Sequence, residues 1–335
     1  MRTDTVTLLM PRLLKLCGTK MLRAITQILL ILLACLSSVS AMAAEYMLYY
    51  LGGQSNMDGY GYVSELPREW GGTVDSVMIF QGVQGEDGKA GGGEGIWAPL
   101  KPGHGTGFNT DGKTNTLSDR FGPELSFGKF IAELNPNKNI AIIKYSRGGT
   151  SLLEGASGYG NWEPDSELEG GINQYDHALM TFRNALLHRD IDQDGEVDTL
   201  TPAGIVWMQG EADAYDNPVA ARAYRDNLKR MMDLFRAALH SDDLPVVIGR
   251  IIDSGRDEDG LLMDYSPIVQ QAQIDYTAAD RCATLVDIGD KLNWSDDWHY
   301  GTEDYLRLGK AFAKAAGNLA TECLVDQDTI EKPKN

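Results

Sequence analysis

The sequence predicts an α/β fold, in which a central parallel sheet carries helices on both faces. Short apolar runs of strand length recur along the chain, and segments with helical periodicity separate them. The 335 residues are 43% hydrophobic and 23% charged, which is a globular composition. Because no repeat, linker or change in composition divides residues 44–325, we predict a single domain there, followed by a polar tail over residues 326–335.

The N-terminal residues are typical of a secretory signal peptide. An apolar core over residues 28–36 follows basic residues, and residues 41–43 form an Ala-x-Ala cleavage site. We therefore expect residues 1–43 to be removed and the protein to be secreted or periplasmic, with Met21 as an alternative start. A second interpretation is a lipoprotein acylated at Cys35, but the Ala-x-Ala site lies directly before the first strand. The core is too short for a stable membrane span.

Apolar runs predict six strands, and periodic segments predict five helices. The strands are expected at residues 47–51, 74–80, 140–145, 205–208, 244–249 and 284–288. The helices are expected at about residues 123–134, 172–189, 218–240, 267–279 and 305–323. Pro123 suits the first turn of the first helix because its φ angle is already helical, and Asn135-Pro136 ends that helix.

Two long stretches, residues 84–122 and about 152–170, are expected to be irregular. The first is rich in glycine and in polar residues, and a loop of that length is usually a functional surface loop. In a parallel sheet, ligands bind beyond the carboxyl ends of the strands. The residues that directly follow each strand are therefore the ones most informative about function.

Ser55 follows the first predicted strand after a Gly-Gly-Gln turn. A strand that ends in a glycine turn before a helix exposes the next side chain at the sheet edge, with backbone N–H groups directed at whatever binds there. Ser55 is therefore a candidate nucleophile if a base can reach it. The same residues also suit an ordinary polar turn, so the rest of the chain has to decide.

A candidate base follows the last predicted strand. In the pattern Asp296-x-x-His299, the carboxylate can accept the Nδ1–H of the imidazole, which leaves Nε2 directed at a partner. That arrangement fixes the tautomer that a general base needs. Taken alone the pattern is weak, because an exposed aspartate beside a histidine that packs on aromatic neighbours is more common.

Acyl transfer also needs hydrogen-bond donors for the developing oxyanion. Ser55 offers its own N–H, Gly148 offers a backbone N–H that can approach the substrate closely, and Gln209 offers a side-chain amide. Each signal is weak alone. Together they are specific, because the end of each of four strands carries one part that the reaction needs.

The four strand ends together resemble the sialate O-acetylesterase domain, the group of carbohydrate esterase family 6 within the SGNH hydrolases. The motifs that carry the resemblance are Gly53-Gln54-Ser55-Asn56-Met57, Gly148-Gly149-Thr150-Ser151-Leu152, Trp207-x-Gln209-Gly210-Glu211-x-Asp213 and Asp296-x-x-His299. They occur in the family's order and cover about residues 46–320. The resemblance implies a three-layer α/β/α sandwich of flavodoxin-like type, and a serine esterase that removes acetyl groups from sugars without a catalytic cofactor.

The resemblance also implies a role for each matching residue. Ser55 is the nucleophile, His299 the base and Asp296 its orienting acid. The oxyanion donors are the N–H of Ser55, Gly148 and Gln209, and Gln209 stands where other SGNH enzymes have asparagine. Supporting roles fall to four further motif residues: Gln54, Asn56, Gly149 and Glu211.

The implied substrate is an acetylated oligo- or polysaccharide, of acetylxylan or sialate type. Two alternatives stay open: an SGNH esterase that acts on non-carbohydrate esters, and a non-catalytic carbohydrate-binding protein of the same fold. The net charge of −18 argues against nucleic-acid binding, because an acidic surface repels phosphate backbones. Cys282 and Cys323 are the cysteines outside the leader, and an exported protein can join them or bury both as thiols.

An acidic segment resembles part of a calcium-binding loop. Its carboxylates are Asp190, Asp192, Asp194, Glu196 and Asp198. Aspartates occupy positions 1, 3, 5 and 9 of an EF-hand loop and Gly195 occupies position 6, but Thr201 stands where the bidentate glutamate belongs. A structural Ca²⁺ site and a solvated acidic turn both remain compatible with this pattern.

Overall fold

A seven-stranded sheet forms the centre of the computed structural model, which describes residues 43–85, 92–166, 172–289 and 291–330. The predicted signal peptide, with Met21 and Cys35, lies outside these residues except for Ala43. The residues from Ala43 onward form one compact unit. Among the described residues, no helix combines the length and the apolar character that a membrane span requires.

The described residues form eleven strands, seven of which belong to the central sheet. The strands along the chain are β1 (Glu45–Gly53), β2 (Gly61–Tyr62), β3 (Val77–Gln81), β4 (Trp97–Pro99), β5 (Asn109–Thr110), β6 (Asn115–Thr116), β7 (Arg120–Phe121), β8 (Asn139–Ser146), β9 (Thr199–Met208), β10 (Val246–Gly249) and β11 (Ala283–Val286). The order across the sheet is β11-β10-β9-β1-β8-β3-β4. All neighbours are parallel except β3 and β4, and β1 lies in the middle between β8 and β9.

Helices cover both faces of this sheet. They are α1 (Ser55–Asp58), α2 (Glu124–Leu134), α3 (Gln174–Leu187), α4 (Glu211–Ala214), α5 (Pro218–Ala238), α6 (Ser266–Ala279) and α7 (Thr302–Ile330). Successive side chains of a strand point to opposite faces. On β1, Tyr49 packs on Phe127 of α2, whereas Tyr50 packs on Phe182 of α3 and Phe235 of α5. The predicted α/β fold with three layers is therefore confirmed.

In the stretch predicted as irregular over residues 84–122, the described residues 92–122 are more ordered than their composition indicates. Trp97 begins β4, which pairs antiparallel with β3, and its buried ring donates a hydrogen bond through Nε1 to the carbonyl of Ala185 at 3.2 Å. In the same stretch β5 pairs antiparallel with β6, and β7 pairs antiparallel with β2, which lies earlier in the chain. Strands of two or three residues are too short to leave a periodic signal in a sequence.

The closing helix is longer than predicted, since α7 begins at Thr302 and ends at Ile330. No glycine or proline follows Cys323 before Pro333, so the sequence contains no signal that would end the helix earlier. A disulfide between Cys282 and Cys323 joins α7 to the segment just before β11, with the two Cα atoms 5.6 Å apart. Of the two states that the sequence left open, the structure has the disulfide.

Candidate active site

The nucleophile turn, residues 53–58 with the candidate nucleophile Ser55, lies at the end of the central strand β1. Gly53 has a φ angle of 142°, and a Cβ at this position would overlap the carbonyl oxygen of Met208 on β9. The neighbouring N–H of Gln54 donates to that same carbonyl at 2.9 Å. These contacts place Ser55 at the start of α1, where it borders an open cleft of about 740 Å³.

Two backbone donors meet at Ser55. Gly148, which follows β8, borders the same cleft, and a Cβ on it would lie 3.3 Å from the Cβ of Ser55. Within the described part of the chain, neither the N–H of Ser55 nor that of Gly148 has a hydrogen-bond partner. Both groups are therefore available to a ligand, as an oxyanion pocket requires.

The candidate base, His299, lies on the loop between β11 and α7. Nδ1 of His299 is 2.7 Å from Oδ2 of Asp296, while Oδ1 accepts the N–H groups of Trp298 and His299 at 2.8 Å each. Burial raises the pKa of the Asp296 carboxyl, but the hydrogen bonds from His299 and Trp298 outweigh it, so the pKa is lowered. His299 borders the same cleft as Ser55, and its ring lies flat against that of Tyr60.

Asn56 connects the nucleophile turn to the base loop. Its Nδ2 donates to Oε1 of Glu211 at 2.8 Å and to the carbonyl oxygen of Trp298 at 3.2 Å. Its Oδ1 accepts a hydrogen bond from the Tyr305 hydroxyl at 2.8 Å. Because Trp298 directly precedes His299, these bonds connect the turn that carries Ser55 to the loop that carries His299.

Glu211 begins α4 and is almost completely buried. Burial raises the pKa of its carboxyl, and the hydrogen bond from Asn56 opposes that rise. Its Oε2 atom has no hydrogen-bond partner among the described residues. Glu211 therefore holds Asn56, which in turn contacts the loop that carries His299.

Gln209 is placed differently from its predicted role. Its Nε2 donates to the carbonyl oxygen of Thr150 at 3.0 Å and to Oδ2 of Asp213 at 2.7 Å, and its side chain is fully buried outside the cleft lining. Asp213 also accepts the N–H groups of Leu152 and Leu153, and burial raises its pKa to about 6. The amide braces the loop after β8 and does not reach the cleft as an oxyanion donor.

Two further motif residues, Gln54 and Gly149, border the cleft. Oε1 of Gln54 accepts the N–H groups of Gly210 at 3.2 Å and Ala212 at 3.3 Å, which orients the Gln54 amide at the cleft wall. Gly149 lines the cleft with a positive φ angle of 74°. Arg147 also lines it, is exposed and forms no ion pair with any described residue.

With this geometry established, comparison with known proteins identifies the family. The model of the family described as "Carbohydrate esterase, sialic acid-specific acetylesterase" matches residues 45–318. The chain belongs to this family. Family membership makes the protein a carboxylic ester hydrolase, a carbohydrate O-acetylesterase whose substrate is an acetylated carbohydrate. Among curated proteins, no match to the chain was found.

Solved structures agree on the fold of this carbohydrate esterase. A protein from Arabidopsis thaliana has a TM-score of 0.57 at 20% identity, over 82% of this chain and 98% of that one. A carbohydrate acetylesterase from Xanthomonas citri has a TM-score of 0.59 at 18% identity, over 82% of this chain and 56% of that one. NanS has a TM-score of 0.53 at 16% identity, over 84% of this chain and all of that one.

Sequence reasoning missed the ion pair that supports the nucleophile turn of this esterase. Lys144 is fully buried on β8, and its Nζ donates to Oε2 of Glu124 and to the carbonyl oxygen of Asp58 at 2.8 Å each. It also donates to the carbonyl oxygen of His104 at 2.6 Å. A single lysine inside the apolar run 140–145 was the available signal, because a charge is buried only when it is paired.

The carboxyl of Asp58 belongs to the same support. It accepts the hydroxyl of Ser146 at 3.3 Å and borders the cleft one turn after Ser55. Burial raises its pKa to about 6, although Lys144, Ser146 and Arg147 all oppose the rise. The nucleophile turn of the esterase therefore carries a carboxyl that titrates closer to neutrality than an exposed aspartate does.

The acidic loop of the esterase brings together part of the predicted calcium ligands. Carboxylate oxygens of Asp190, Asp192 and Asp194 lie within 4.8 Å of one another. Glu196 and Asp198 do not join this cluster. Asp198 is buried instead, and its carboxylate accepts the N–H groups of Ala44 and Ile191 at 2.8 Å each. The first of these bonds holds the residue just before β1.

Proposed function

We propose that this protein is an exported serine esterase that removes O-acetyl groups from carbohydrates through Ser55, His299 and Asp296. The observation that carries the proposal is the 2.7 Å contact between Asp296 and Nδ1 of His299, on the wall of the cleft that Ser55 borders. A carboxylate at Nδ1 favours the tautomer whose Nε2 accepts a proton from the serine.

In the first half of the reaction, His299 accepts the Ser55 proton as Oγ attacks the acetyl carbonyl. The negative charge that develops on the carbonyl oxygen is stabilised by the N–H groups of Ser55 and Gly148, which have no partner among the described residues. His299 then donates its proton to the sugar oxygen, which leaves as a hydroxyl. Asp296 stabilises the imidazolium and keeps its own charge.

In the second half, water replaces the sugar. His299 takes a proton from the water, whose oxygen attacks the acetyl group on Ser55, and the same backbone donors stabilise the second tetrahedral intermediate. Collapse of that intermediate returns the proton to Ser55 and releases acetate. Catalysis by this route uses only groups of the chain and water.

The substrate that we propose is an acetylated oligo- or polysaccharide of acetylxylan or sialate type. The family description and the size of the cleft support a sugar ester. The loops expected to select the sugar border the same cleft, through Thr106 on one loop and residues 156–159 on the other. Acetate release from acetylated xylan, other acetylated polysaccharides and acetylated sialosides distinguishes the sugar classes.

The direct test is Ser55→Ala. We expect no detectable hydrolysis of 4-nitrophenyl acetate, and no mass increase at residue 55 with a fluorophosphonate that labels the native protein. Unchanged circular dichroism and unfolding midpoint show that the fold is kept. Turnover near that of the native protein would refute the assignment of the nucleophile.

Export is proposed on the leader alone. An apolar core over residues 28–36 and the Ala-x-Ala site at residues 41–43 support secretion or release into a periplasm. We expect the mature protein to begin at Ala44, which N-terminal mass analysis of the exported form tests. Acylation at Cys35 would instead give a protein that starts at residue 35 and partitions with membranes.

A further inference from the structure

Tyr60 contacts both parts of the proposed catalytic apparatus. Its ring is parallel to the ring of His299, with the centroids 3.6 Å apart and the planes 3° apart. Its hydroxyl oxygen lies 3.5 Å from the position that a Cβ on Gly148 would occupy, and the same position is 3.3 Å from the Cβ of Ser55. The ring therefore packs on the base while the hydroxyl lies beside the two backbone oxyanion donors.

The oxyanion pocket has room for a side-chain donor. The N–H groups of Ser55 and Gly148 supply two donors, and the amide of Gln209 is engaged by Thr150 and Asp213 outside the cleft. An oxyanion is stabilised most when preorganised donors are directed at it, and each donor contributes about 10²–10³ in rate. The Tyr60 hydroxyl is a hydrogen-bond donor that lies beside Gly148.

The Tyr60 side chain is held before any substrate binds. The guanidinium of Arg120 donates to the Tyr60 carbonyl oxygen at 2.6 Å, which fixes the backbone. Burial raises the pKa of the Tyr60 phenol, and a side-chain hydrogen bond with Thr106 opposes part of that rise. The phenol therefore keeps its proton at neutral pH and can donate it in a hydrogen bond.

We propose that Tyr60 is a catalytic residue of this esterase, whose hydroxyl donates a third hydrogen bond to the oxyanion of the tetrahedral intermediate. Thr106 lines the same cleft beside Tyr60. The proton stays on Tyr60 throughout, and the electron pair of the oxyanion re-forms the carbonyl when the sugar leaves. This inference rests on the proposed function, because it requires Ser55 as the nucleophile.

Tyr60→Phe tests the hydroxyl and keeps the ring on His299. We expect kcat/KM for 4-nitrophenyl acetate to fall by about 10²–10³, mainly through kcat, with KM changed less than about threefold. Phenylboronic acid, which forms a tetrahedral adduct with an active serine, should inhibit the variant more weakly by a similar factor. Thr106→Val, which removes the hydroxyl that hydrogen-bonds with the phenol, should cause a smaller loss in the same direction.

Tyr62→Phe is the matched control. Its ring lies under Arg120, with the guanidinium 3.5 Å from the centroid, and Tyr62 does not line the cleft. We expect native kinetics from this variant. A Tyr60→Phe enzyme with kcat/KM within threefold of native, or with reduced kcat but unchanged boronic acid inhibition, would overturn the inference.

Labelling separates this inference from the proposed function. If the fluorophosphonate modifies Ser55 of the native protein and Tyr60→Phe turns over normally, only the role of Tyr60 is wrong. If native protein is not labelled at Ser55 and hydrolyses no acetyl ester, the proposed function itself fails. Circular dichroism and the unfolding midpoint of Tyr60→Phe exclude a loss that comes from misfolding.

Discussion

Ser55 lies on a buried turn at the end of the central strand, whereas His299 lies on a loop between β11 and α7. The buried ion pair of Lys144 with Glu124 holds the turn, because Nζ of Lys144 also donates to the carbonyl oxygen of Asp58. The loop is held by hydrogen bonds to Asp296, whose side chain is half exposed, and by the Trp298 carbonyl that Asn56 contacts. Ser55 is thus positioned by the core of the fold, and His299 by a few local contacts.

Because of this difference, substitutions in the two regions should affect stability and activity in different proportions. Changes beneath the nucleophile turn disturb buried charges and should lower the free energy of unfolding together with activity. Changes in the base loop remove local hydrogen bonds near solvent, so they should lower activity and leave stability almost unchanged.

The largest expected effect is on activity, from Asp296→Asn. The amide oxygen can still accept the N–H groups of Trp298 and His299, but its NH₂ faces Nδ1 and favours the wrong tautomer of the imidazole. We expect kcat/KM for 4-nitrophenyl acetate to fall by about 10²–10⁴, with an unfolding midpoint close to native. Asp297→Asn, which changes the exposed neighbour, should be nearly native in both assays.

A fall in the unfolding midpoint of Asp296→Asn as large as that from a core substitution would contradict the expectation that this loop contributes little to stability. Full activity in Asp296→Asn would instead remove this aspartate from the mechanism. Both outcomes are read from the same purified variant, by steady-state kinetics and thermal unfolding.

On the nucleophile side, Lys144→Met should be strongly destabilising. The substitution leaves the fully buried Glu124 without its cation, and breaking one partner of a buried pair costs about 3–5 kcal/mol. Denaturant unfolding measures this loss. Lys229→Met, which removes the exposed pair with Asp233 on α5, should cost less than about 1 kcal/mol. Equal losses in the two variants would show that the buried pair does not support the turn.

A pH-dependent effect is expected from Asp58. Burial raises its pKa from 3.8 to about 6 in the folded protein, so the folded state binds more protons than the unfolded state between these values. This group therefore lowers the free energy of unfolding as the pH rises from about 4 to 6. Asp58→Asn should remove that part of the slope, whereas Asp216→Asn, at an exposed position of the same cleft, serves as the control.

Denaturant unfolding at several pH values between 4 and 7 measures this contribution as the difference between native and variant. Parallel curves for native and Asp58→Asn protein would contradict it. Asp296, on the loop that carries His299, should show the opposite pH dependence. Its pKa is lowered in the folded protein, so its contribution to the free energy of unfolding should be lost as the pH falls through that pKa.

The smallest effect is expected far from the cleft, at the acidic loop. If Asp190, Asp192 and Asp194 bind Ca²⁺ as predicted, calcium should raise the unfolding midpoint by a few degrees and a chelator should reverse the shift. Asp192→Asn should abolish the response, and esterase activity should not change. A midpoint that responds to neither calcium nor chelator would leave a solvated acidic turn.

Much of the site was predictable because its residues follow strands. Ser55, Gly148 and Glu211 come directly after β1, β8 and β9, and parallel strands bring their carboxyl ends to one edge of the sheet. Asp296 and His299 were predictable for another reason, since a spacing of three residues is a local geometry. Short strands such as β4 left no periodic signal, so the region over residues 84–122 was predicted as irregular.

The sequence alone predicted the six longer strands, the main helices, the turn that carries Ser55 and the local pairing of Asp296 with His299, but not short strands such as β4. These features depend on side-chain periodicity and on neighbours within a few residues. Three contacts became known only from the folded structure. Gln209 donates to the Thr150 carbonyl outside the cleft, Lys144 pairs with Glu124, and Tyr60 stacks on His299. Such contacts join residues distant in sequence, and their partners are selected by packing and by the cost of burying an unpaired polar group.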